Sequence, residues 1–364
     1  MLYVAMETFE GIYQGAKKQS KFVGLLGFLV LAYLMGTANP DTTFDYSAYD
    51  YYYNYSGMTG IFYFEKGYSL IARYFYNIGW SYPEFRLFIS AVSFGILYYG
   101  VSKFTKNLAF FIFIYGVTIF FIDATQIRNF IMISLVIFGV SFIANGKTFK
   151  NYIFCIIAIL FSAQIHSMGY IFLLVPLLNL VSFEKLEKNF QSVSIVVIFI
   201  VGILFIVGKG ILSGGLTVLL NHFSSRNDIT QRLADKYSSG ASRMHTIEAS
   251  VVVLLTIYIA FCIVKYCSDQ ELKKRLIPLF WGLVVSIVTL PLLTLAIDYS
   301  RIVRNSFVFM IVIMSVFYEK RYLFNVRRVF FSWLILISLI SNAHISNVVW
   351  GPAYIQSIPY LMQF

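Results

Sequence analysis

Long runs of apolar residues, separated by short polar turns, dominate the chain. Eleven of these runs approach the length of about 17–25 residues that an α-helix needs to cross a bilayer. They lie at residues 22–38, 85–102, 107–122, 127–144, 151–165, 168–182, 192–208, 248–266, 276–297, 302–318 and 329–349. The pattern predicts an all-α, polytopic integral membrane protein with about 11 transmembrane helices and a single transmembrane domain over residues 1–364.

Composition supports the same class. Of the 364 residues, 59% are hydrophobic and 12% are charged, whereas a soluble domain averages about 45–50% and about 25%. The three cysteines, Cys155, Cys262 and Cys267, form no C-x-x-C pair and fall in or beside apolar runs. We interpret them as small packing residues rather than as metal ligands or disulfide partners.

The positive charges indicate how the helices are oriented. With a cytoplasmic N-terminus and alternating helices, every lysine except Lys66, Lys209 and Lys236 falls on the inner side. This is the positive-inside pattern, so the net charge of +11 reflects topology rather than a nucleic-acid surface. The inner turns are too short for a cytosolic catalytic domain.

Two long polar segments lie on the predicted outer side. Residues 39–84 form the first extracytoplasmic loop and contain many tyrosines, and residues 209–247 form the second, which is rich in Gly and Ser. Because the unusual polar residues share this face of the membrane, we expect the functional site there.

Several familiar enzyme motifs are absent from the sequence. GILFIVGKG, at residues 202–210, has one residue too many for a phosphate-binding loop and lacks a Ser or Thr after Lys209. No D-x-D, H-E-x-x-H or G-x-S-x-G motif occurs. We therefore expect no metal, no cofactor and no nucleotide site.

The stretch FFIDATQIRNFIMISLV, residues 120–136, places Asp123, Gln126, Arg128 and Asn129 inside an apolar run. An arginine in a membrane helix is costly, and such residues are functional by default. Arg128 could instead extend to outer headgroups, although that position opposes the positive-inside bias. Asp123 either orients a neighbour or caps the turn.

Two further arginines open the predicted tenth helix in DYSRIVRNSF, residues 298–307. Arg301 and Arg304 are three residues apart and share a helix face. Guanidinium groups at a helix N-terminus suit a diphosphate, and we expect Arg128, Arg301 and Arg304 to bind one. The alternative is an internal Asp298–Arg301 pair with Arg304 facing lipid phosphate.

His166 lies in the outer turn between the fifth and sixth predicted helices. A lone histidine is more often structural, but an imidazole is also the usual general base near neutral pH. His166 is our first candidate for that base.

Candidate sugar-binding residues occur in the first loop, where tyrosines alternate with carboxylates. Tyrosine rings with nearby carboxylates offer apolar faces and polar edges that suit sugars, although an aromatic belt is the simpler interpretation. We predict a catalytic role for Asp50 or Glu65, and sugar binding by Asp45, Tyr49, Tyr53 and Gln126. Spacing alone does not choose among the carboxylates.

The order of these motifs resembles the EpsG family of Wzy-type polysaccharide polymerases. The resemblance rests on the Asp/Tyr-rich loop, on Glu65-Lys66-Gly67-Tyr68, on Gln126-Ile127-Arg128-Asn129 and on His166-Ser167. RLADKYSSG, residues 232–240, and the Arg301/Arg304 segment also fit the family's arrangement. Lys66, Asn129 and Ile165 stand where the family usually has proline, glutamine and phenylalanine.

The resemblance implies a GT-C-like, metal-independent glycosyltransferase in the bacterial inner membrane. Its donor and acceptor would be undecaprenyl-diphosphate-linked oligosaccharides in the lipid bilayer, joined on the extracytoplasmic side during O-antigen, capsule or exopolysaccharide synthesis. A chain-length regulator and a flippase of the same pathway are further expected partners, and nucleic acid is not.

Three other functions fit a polytopic chain with polar residues at its helix ends. A lipid-linked oligosaccharide flippase would need polar residues reachable from both faces, and the inner halves of the helices are nearly uncharged. A membrane O-acyltransferase would need a docking surface for a cytosolic acyl donor, which the short inner loops do not offer. A non-catalytic partner of an export system is the third alternative.

Overall fold

Helices build the protein throughout the part that the computed structural model describes, which comprises residues 21–223, 243–293, 299–324 and 332–342. Within these ranges there is no strand, and Cys267 and Phe324 form an isolated bridge. The predictions that concern RLADKYSSG (232–240) and Asp298 fall on residues outside the described ranges.

The helices are numbered in chain order. The first half contains α1 (Lys21–Gly36), α2 (Tyr46–Thr59), α3 (Lys66–Asn77), α4 (Tyr82–Ser102), α5 (Leu108–Thr118), α6 (Phe120–Thr125), α7 (Ile127–Ala144) and α8 (Phe149–Ile165). A 3-10 helix (Ser167–Leu173) then leads to α9 (Leu174–Leu178), α10 (Phe183–Phe223), α11 (Arg243–Lys265) and α12 (Gln270–Val284). A second 3-10 segment (Val285–Val288), α13 (Thr289–Leu292), α14 (Ser300–Glu319), a third 3-10 turn (Arg321–Leu323) and α15 (Ser332–Asn342) follow.

The predicted class of an all-helical membrane protein is confirmed. Five helical segments of the described residues are long and apolar enough to cross a membrane: Tyr82–Ser102, Ile127–Ala144, Thr246–Lys265, Gln270–Leu292 and Ser300–Glu319. Six shorter apolar helices occur at the other predicted runs. Eleven transmembrane helices and a GT-C-like architecture remain predictions.

Helices α7 and α14 form the centre of the bundle, since nearly all of their side chains are buried. Helix α7 packs against α4, α8 and α12, whereas α14 packs against α5, α11 and α12. Gly139 allows α7 to approach α8 closely, because a Cβ at that position would lie 2.9 Å from the Cβ of Ala158. Small residues at helix crossings are typical of membrane proteins, where close packing replaces the hydrophobic effect.

Both predicted outer loops contain helix. Helices α2 and α3 lie within residues 39–84, and α10 continues to Phe223, past the predicted end of its apolar run. Tyr46, Tyr49 and Tyr53 of α2 are buried, and the Tyr53 ring stacks on Phe85 of α4 at 5.2 Å. Aromatic packing therefore holds this segment against the helices of the bundle.

The sixth predicted run is short, and its geometry is unusual. Residues Ser167–Leu173 form a 3-10 helix of 7 residues. A 3-10 helix rises about 2.0 Å per residue instead of about 1.5 Å. The segment is therefore roughly 3–4 Å longer along its axis than an α-helix with the same number of residues.

Candidate functional site

Polar side chains gather where the C-terminal ends of α1 and α8 meet the N-terminal ends of α4, α7 and α14. We call this region the polar end of the bundle. Its centre is an ion pair between Glu65, which immediately precedes α3, and Arg128 in the first turn of α7. Each of the two residues is only 4% exposed. Removal of one partner from a buried ion pair of this kind strongly destabilises the folded protein.

Both members of the pair also bind the backbone beside His166. The carboxylate of Glu65 accepts a hydrogen bond from the N–H of Ser167 at 2.9 Å. Arg128 donates from Nε to the carbonyl of Ile165 at 3.3 Å. The pair therefore holds the chain on either side of His166, at the break between α8 and the 3-10 helix.

Aromatic rings and a glycine complete the surroundings of this pair. The Arg128 guanidinium lies over the ring of Phe64, 4.1 Å from its centroid, and over that of Tyr68 at 5.4 Å. Such cation–π contacts partly replace the water that a buried cation loses. Gly67 lets α3 approach α8, because a Cβ there would lie 2.7 Å from the Cβ of Gln164.

A second buried ion pair joins α6 to α14. Arg304 lies 3.2 Å from Asp123 through Nε and Oδ1, and it donates from Nη2 to the side-chain oxygen of Gln126 at 2.6 Å. Asp123 also accepts from the hydroxyl of Tyr115 at 2.9 Å. Asp123 thus orients Arg304, which resolves the two roles that the sequence left open for it.

The side chain of Gln126 is 1% exposed, and its orientation is set by this network. Arginine has no acceptor, so the amide oxygen must face Arg304. The amide nitrogen has no hydrogen-bond partner among the described residues. Burial of a hydrogen-bond donor without a partner costs about 1–3 kcal/mol.

Asn129 and Asn305 tie α7 to α14 just below the ion pairs. Each side-chain amide donates to the oxygen of the other, at 2.8 Å and 2.7 Å. Both side chains are fully buried, so the paired amides satisfy each other in the absence of water.

Arg301 is the predicted site arginine that remains partly exposed. It lies one turn before Arg304, at the N-terminus of α14. Burial raises the pKa of Tyr49, and the nearby guanidiniums of Arg128 and Arg301 act in the opposite direction. Tyr49, a buried residue of α2, is thus within electrostatic range of both arginines.

The remaining predicted residues are two half-buried carboxylates and a tyrosine that packs against neighbouring helices. Asp45 and Asp50 are half-buried, and Asp50 accepts from the side-chain amide of Asn54 at 2.9 Å. Tyr53 faces away from the arginines: its hydroxyl donates to the carbonyl of Trp80 at 2.9 Å, and burial raises its pKa to about 12. Tyr53 thus supports the packing of α2, and its role in sugar binding stays a prediction.

Arg86 is a site residue that was not predicted from the sequence. This residue is completely buried in the first turns of α4. Its guanidinium donates to the carbonyls of Met35 and Ala124 and to the hydroxyl of Tyr82. It thereby joins the C-terminal end of α1 to the turn before Arg128. The signal was available, because Arg86 opens a predicted membrane helix on the same side as Arg128.

Among the described residues, no group of three or more His, Cys, Asp or Glu side chains is arranged to hold a metal ion. The polar end of the bundle instead contains guanidinium, amide and imidazole groups that can donate hydrogen bonds. Two of its arginines, Arg128 and Arg304, are each paired with a carboxylate. Such a set of donors suits an anionic oxygen ligand.

Comparison with known proteins identifies the family of the chain. A family model described as the EpsG family matches residues 21–362, nearly the whole chain. No curated protein and no solved structure shows significant similarity to the chain. The matched range contains every site residue discussed above.

Proposed function

Since the chain belongs to the EpsG family, a Wzy-like family of polysaccharide polymerases, we propose that it polymerises lipid-linked glycans. It transfers a growing glycan from undecaprenyl diphosphate onto the end sugar of a new lipid-linked repeat unit. The reaction takes place on the outer face of the bacterial cytoplasmic membrane.

One observation carries this proposal: three sequence motifs that lie far apart in the chain meet at the Glu65–Arg128 pair. Glu65 precedes Lys66-Gly67-Tyr68, Arg128 lies in the Gln-Ile-Arg-Asn segment, and both bind the backbone around His166. Charged groups within membrane helices are rare and mark functional sites. Their convergence at one end of the bundle supports a site for a charged, membrane-borne substrate.

The diphosphate of the donor would bind beside Arg301. This arginine is partly exposed at the N-terminus of α14, where the helix end itself favours anions. Arg128 and Arg304 are each engaged by a carboxylate, so they contribute a fixed field and fixed geometry. Preorganised donors of this kind stabilise charge that develops on a leaving group.

The reaction needs a proton acceptor in addition to the anion site. The acceptor hydroxyl attacks the anomeric carbon of the donor, and the bond from that carbon to the diphosphate oxygen breaks with its electron pair. The hydroxyl proton passes to a carboxylate. Both oxygens of Glu65 are engaged by Arg128 and Ser167, so the half-buried Asp45 and Asp50 are the better candidates.

The product left by a deletion strain tests this function. Without the polymerase, single repeat units should accumulate on lipid in the outer leaflet, and the wild-type gene should restore long chains. Units trapped in the inner leaflet would indicate a flippase instead. Long chains that lack only an acyl group would indicate an acyltransferase.

A further inference from the structure

His166 occupies a position that the Glu65–Arg128 pair defines from both sides. Its own backbone is extended, with φ −148° and ψ 122°, and it ends α8 and caps the following 3-10 helix. The neighbouring carbonyl of Ile165 and the neighbouring N–H of Ser167 are bound by Arg128 and Glu65. The ion pair is buried, whereas His166 is partly exposed. The buried Glu65–Arg128 pair therefore fixes the backbone of His166, whose imidazole lies at the surface of the polar end.

The side chain of His166 forms a hydrogen bond to the backbone through one of its two ring nitrogens. Nδ1 accepts from the backbone N–H of Met168 at 3.3 Å, as the cap of the 3-10 helix. A ring nitrogen that accepts a hydrogen bond carries no proton, so with this bond in place a neutral ring carries its proton on Nε2. Protonation at Nδ1 would place two donors against each other and would remove the cap.

We propose that His166 acts in this site as a hydrogen-bond donor through Nε2–H, and not as the proton acceptor. Its target is an anionic oxygen of the lipid diphosphate, and the inference rests on the proposed polymerase function. Glu65 is a positioning residue that acts through His166, and Arg128 positions His166 in addition to the fixed field that it contributes to the site. The imidazole keeps its proton throughout, so the proton of the acceptor hydroxyl goes to a first-loop carboxylate.

The chemistry favours this assignment over a base at His166. A donor aimed at a departing diphosphate grows stronger as charge develops there, and the neutral ring adds no charge to a site that already holds several arginines. A base at His166 would have to use Nδ1, which the N–H of Met168 already occupies. The carboxylates of the first loop can accept the proton without breaking the hydrogen bond between Met168 and His166.

Three substitutions at His166 separate the possible roles. His166→Asn preserves a capping acceptor near the position of Nδ1 but is too short to donate from the position of Nε2. His166→Gln places an amide N–H near the position of Nε2 and cannot act as a base. His166→Ala removes both groups. Each variant is assayed for polymer formation in membranes that contain equal amounts of protein.

If His166 is a donor, His166→Gln should stay within a few-fold of the wild type, while His166→Asn falls by about 100-fold, as for other lost oxyanion donors. Equal, severe losses in Asn, Gln and Ala variants would indicate a base and overturn the proposal. A fully active His166→Asn would show that His166 only caps the helix, which also overturns it.

The tautomer can be measured without any assay of activity. Solid-state NMR of ¹⁵N-histidine-labelled protein in lipid distinguishes Nε2–H from Nδ1–H rings, and the His166→Asn protein assigns the signal among the 4 histidines. The proposal requires a neutral Nε2–H ring at pH 7, and an Nδ1–H ring would overturn it. A wild-type protein that makes no polymer would instead refute the proposed function, while the tautomer test would still stand.

Discussion

At the scale of single residues, the polar end joins each of two buried arginines to its own carboxylate. Arg128 and Glu65 are 63 positions apart, and Arg304 is bound by Asp123 on a different helix. A buried ion pair contributes little net stability compared with apolar side chains, yet loss of one member is costly. The ion pairs therefore fix the geometry of the site, because each arginine also binds a backbone carbonyl or a side-chain amide.

The variant Glu65→Gln tests the role of the first pair. It keeps an acceptor for Ser167 but leaves Arg128 buried without a counter-charge, which should cost about 3–5 kcal/mol. We expect a lower thermal unfolding midpoint in detergent and loss of polymer. The double variant Glu65→Gln, Arg128→Met should recover part of the stability and none of the activity. A single variant that unfolds at the wild-type temperature would contradict the pairing.

The sequence identifies the arginines that are energetically unfavourable in a membrane helix, but it does not identify the residues that pair with them. Arg128, Arg301 and Arg304 stand out because membrane helices rarely carry arginine. Nothing in the sequence indicates that Glu65 turns inward to Arg128, because that contact depends on how α3 packs against α8. The same limit explains His166, whose capping bond to Met168 exists only once the 3-10 helix has formed.

At the scale of helices, α3 delivers Glu65 to the site, and its approach depends on a glycine. The Cβ of an alanine at position 67 would lie 2.7 Å from the Cβ of Gln164 and 2.8 Å from its carbonyl oxygen. The second of these atoms belongs to the backbone of α8, so it cannot rotate away. Helix α3 would have to move, and Glu65 would move with it.

Gly67→Ala should therefore reduce polymer formation by at least about tenfold, the effect expected when a positioned group is displaced by about 1 Å. Gly95→Ala is the matched control, since it also lies within a helix but has nothing within 4 Å of its added Cβ. We expect the control to keep wild-type activity and to be neutral or slightly stabilised. Equal activity of the two variants would show that close packing of α3 on α8 is not required.

Helices α2 and α3 also show what apolar periodicity misses. Their residues are mainly Tyr, Asp, Asn, Ser and Gly, which are modest helix formers, and no long apolar run marks them. They fold because their rings pack on one another and on α4. The long apolar helices were predictable, because their signal is local to each segment.

At the scale of the whole molecule, the distribution of charge predicts which end faces outward. The polar end coincides with the side that the sequence places outside. The opposite end carries basic residues of short turns, such as Lys273, which pairs with Glu187 at 3.0 Å. Positive charge near the ends of membrane helices favours the cytoplasm. Substrate would then meet the polar end from the outer leaflet.

Cysteine labelling in intact cells tests this orientation. The three native cysteines are buried and should react slowly with a membrane-impermeant maleimide. Tyr51→Cys, on the exposed side of α2, should be labelled from outside. Lys274→Cys lies at an exposed position at the other end and should react only after the cells are opened. The reverse pattern would place the polar end in the cytoplasm.

Reconstitution of the purified protein tests the polymerase claim most directly. The protein is inserted into lipid nanodiscs and supplied with one synthetic oligosaccharide repeat unit on undecaprenyl diphosphate, without nucleotide or added metal. We expect a ladder of glycans that lengthens by whole repeat units, with release of undecaprenyl diphosphate, and no ladder with Glu65→Gln protein. Well-folded wild-type protein that leaves the repeat unit unchanged while binding it, or a ladder from the Glu65→Gln protein equal to that of the wild type, would contradict the claim.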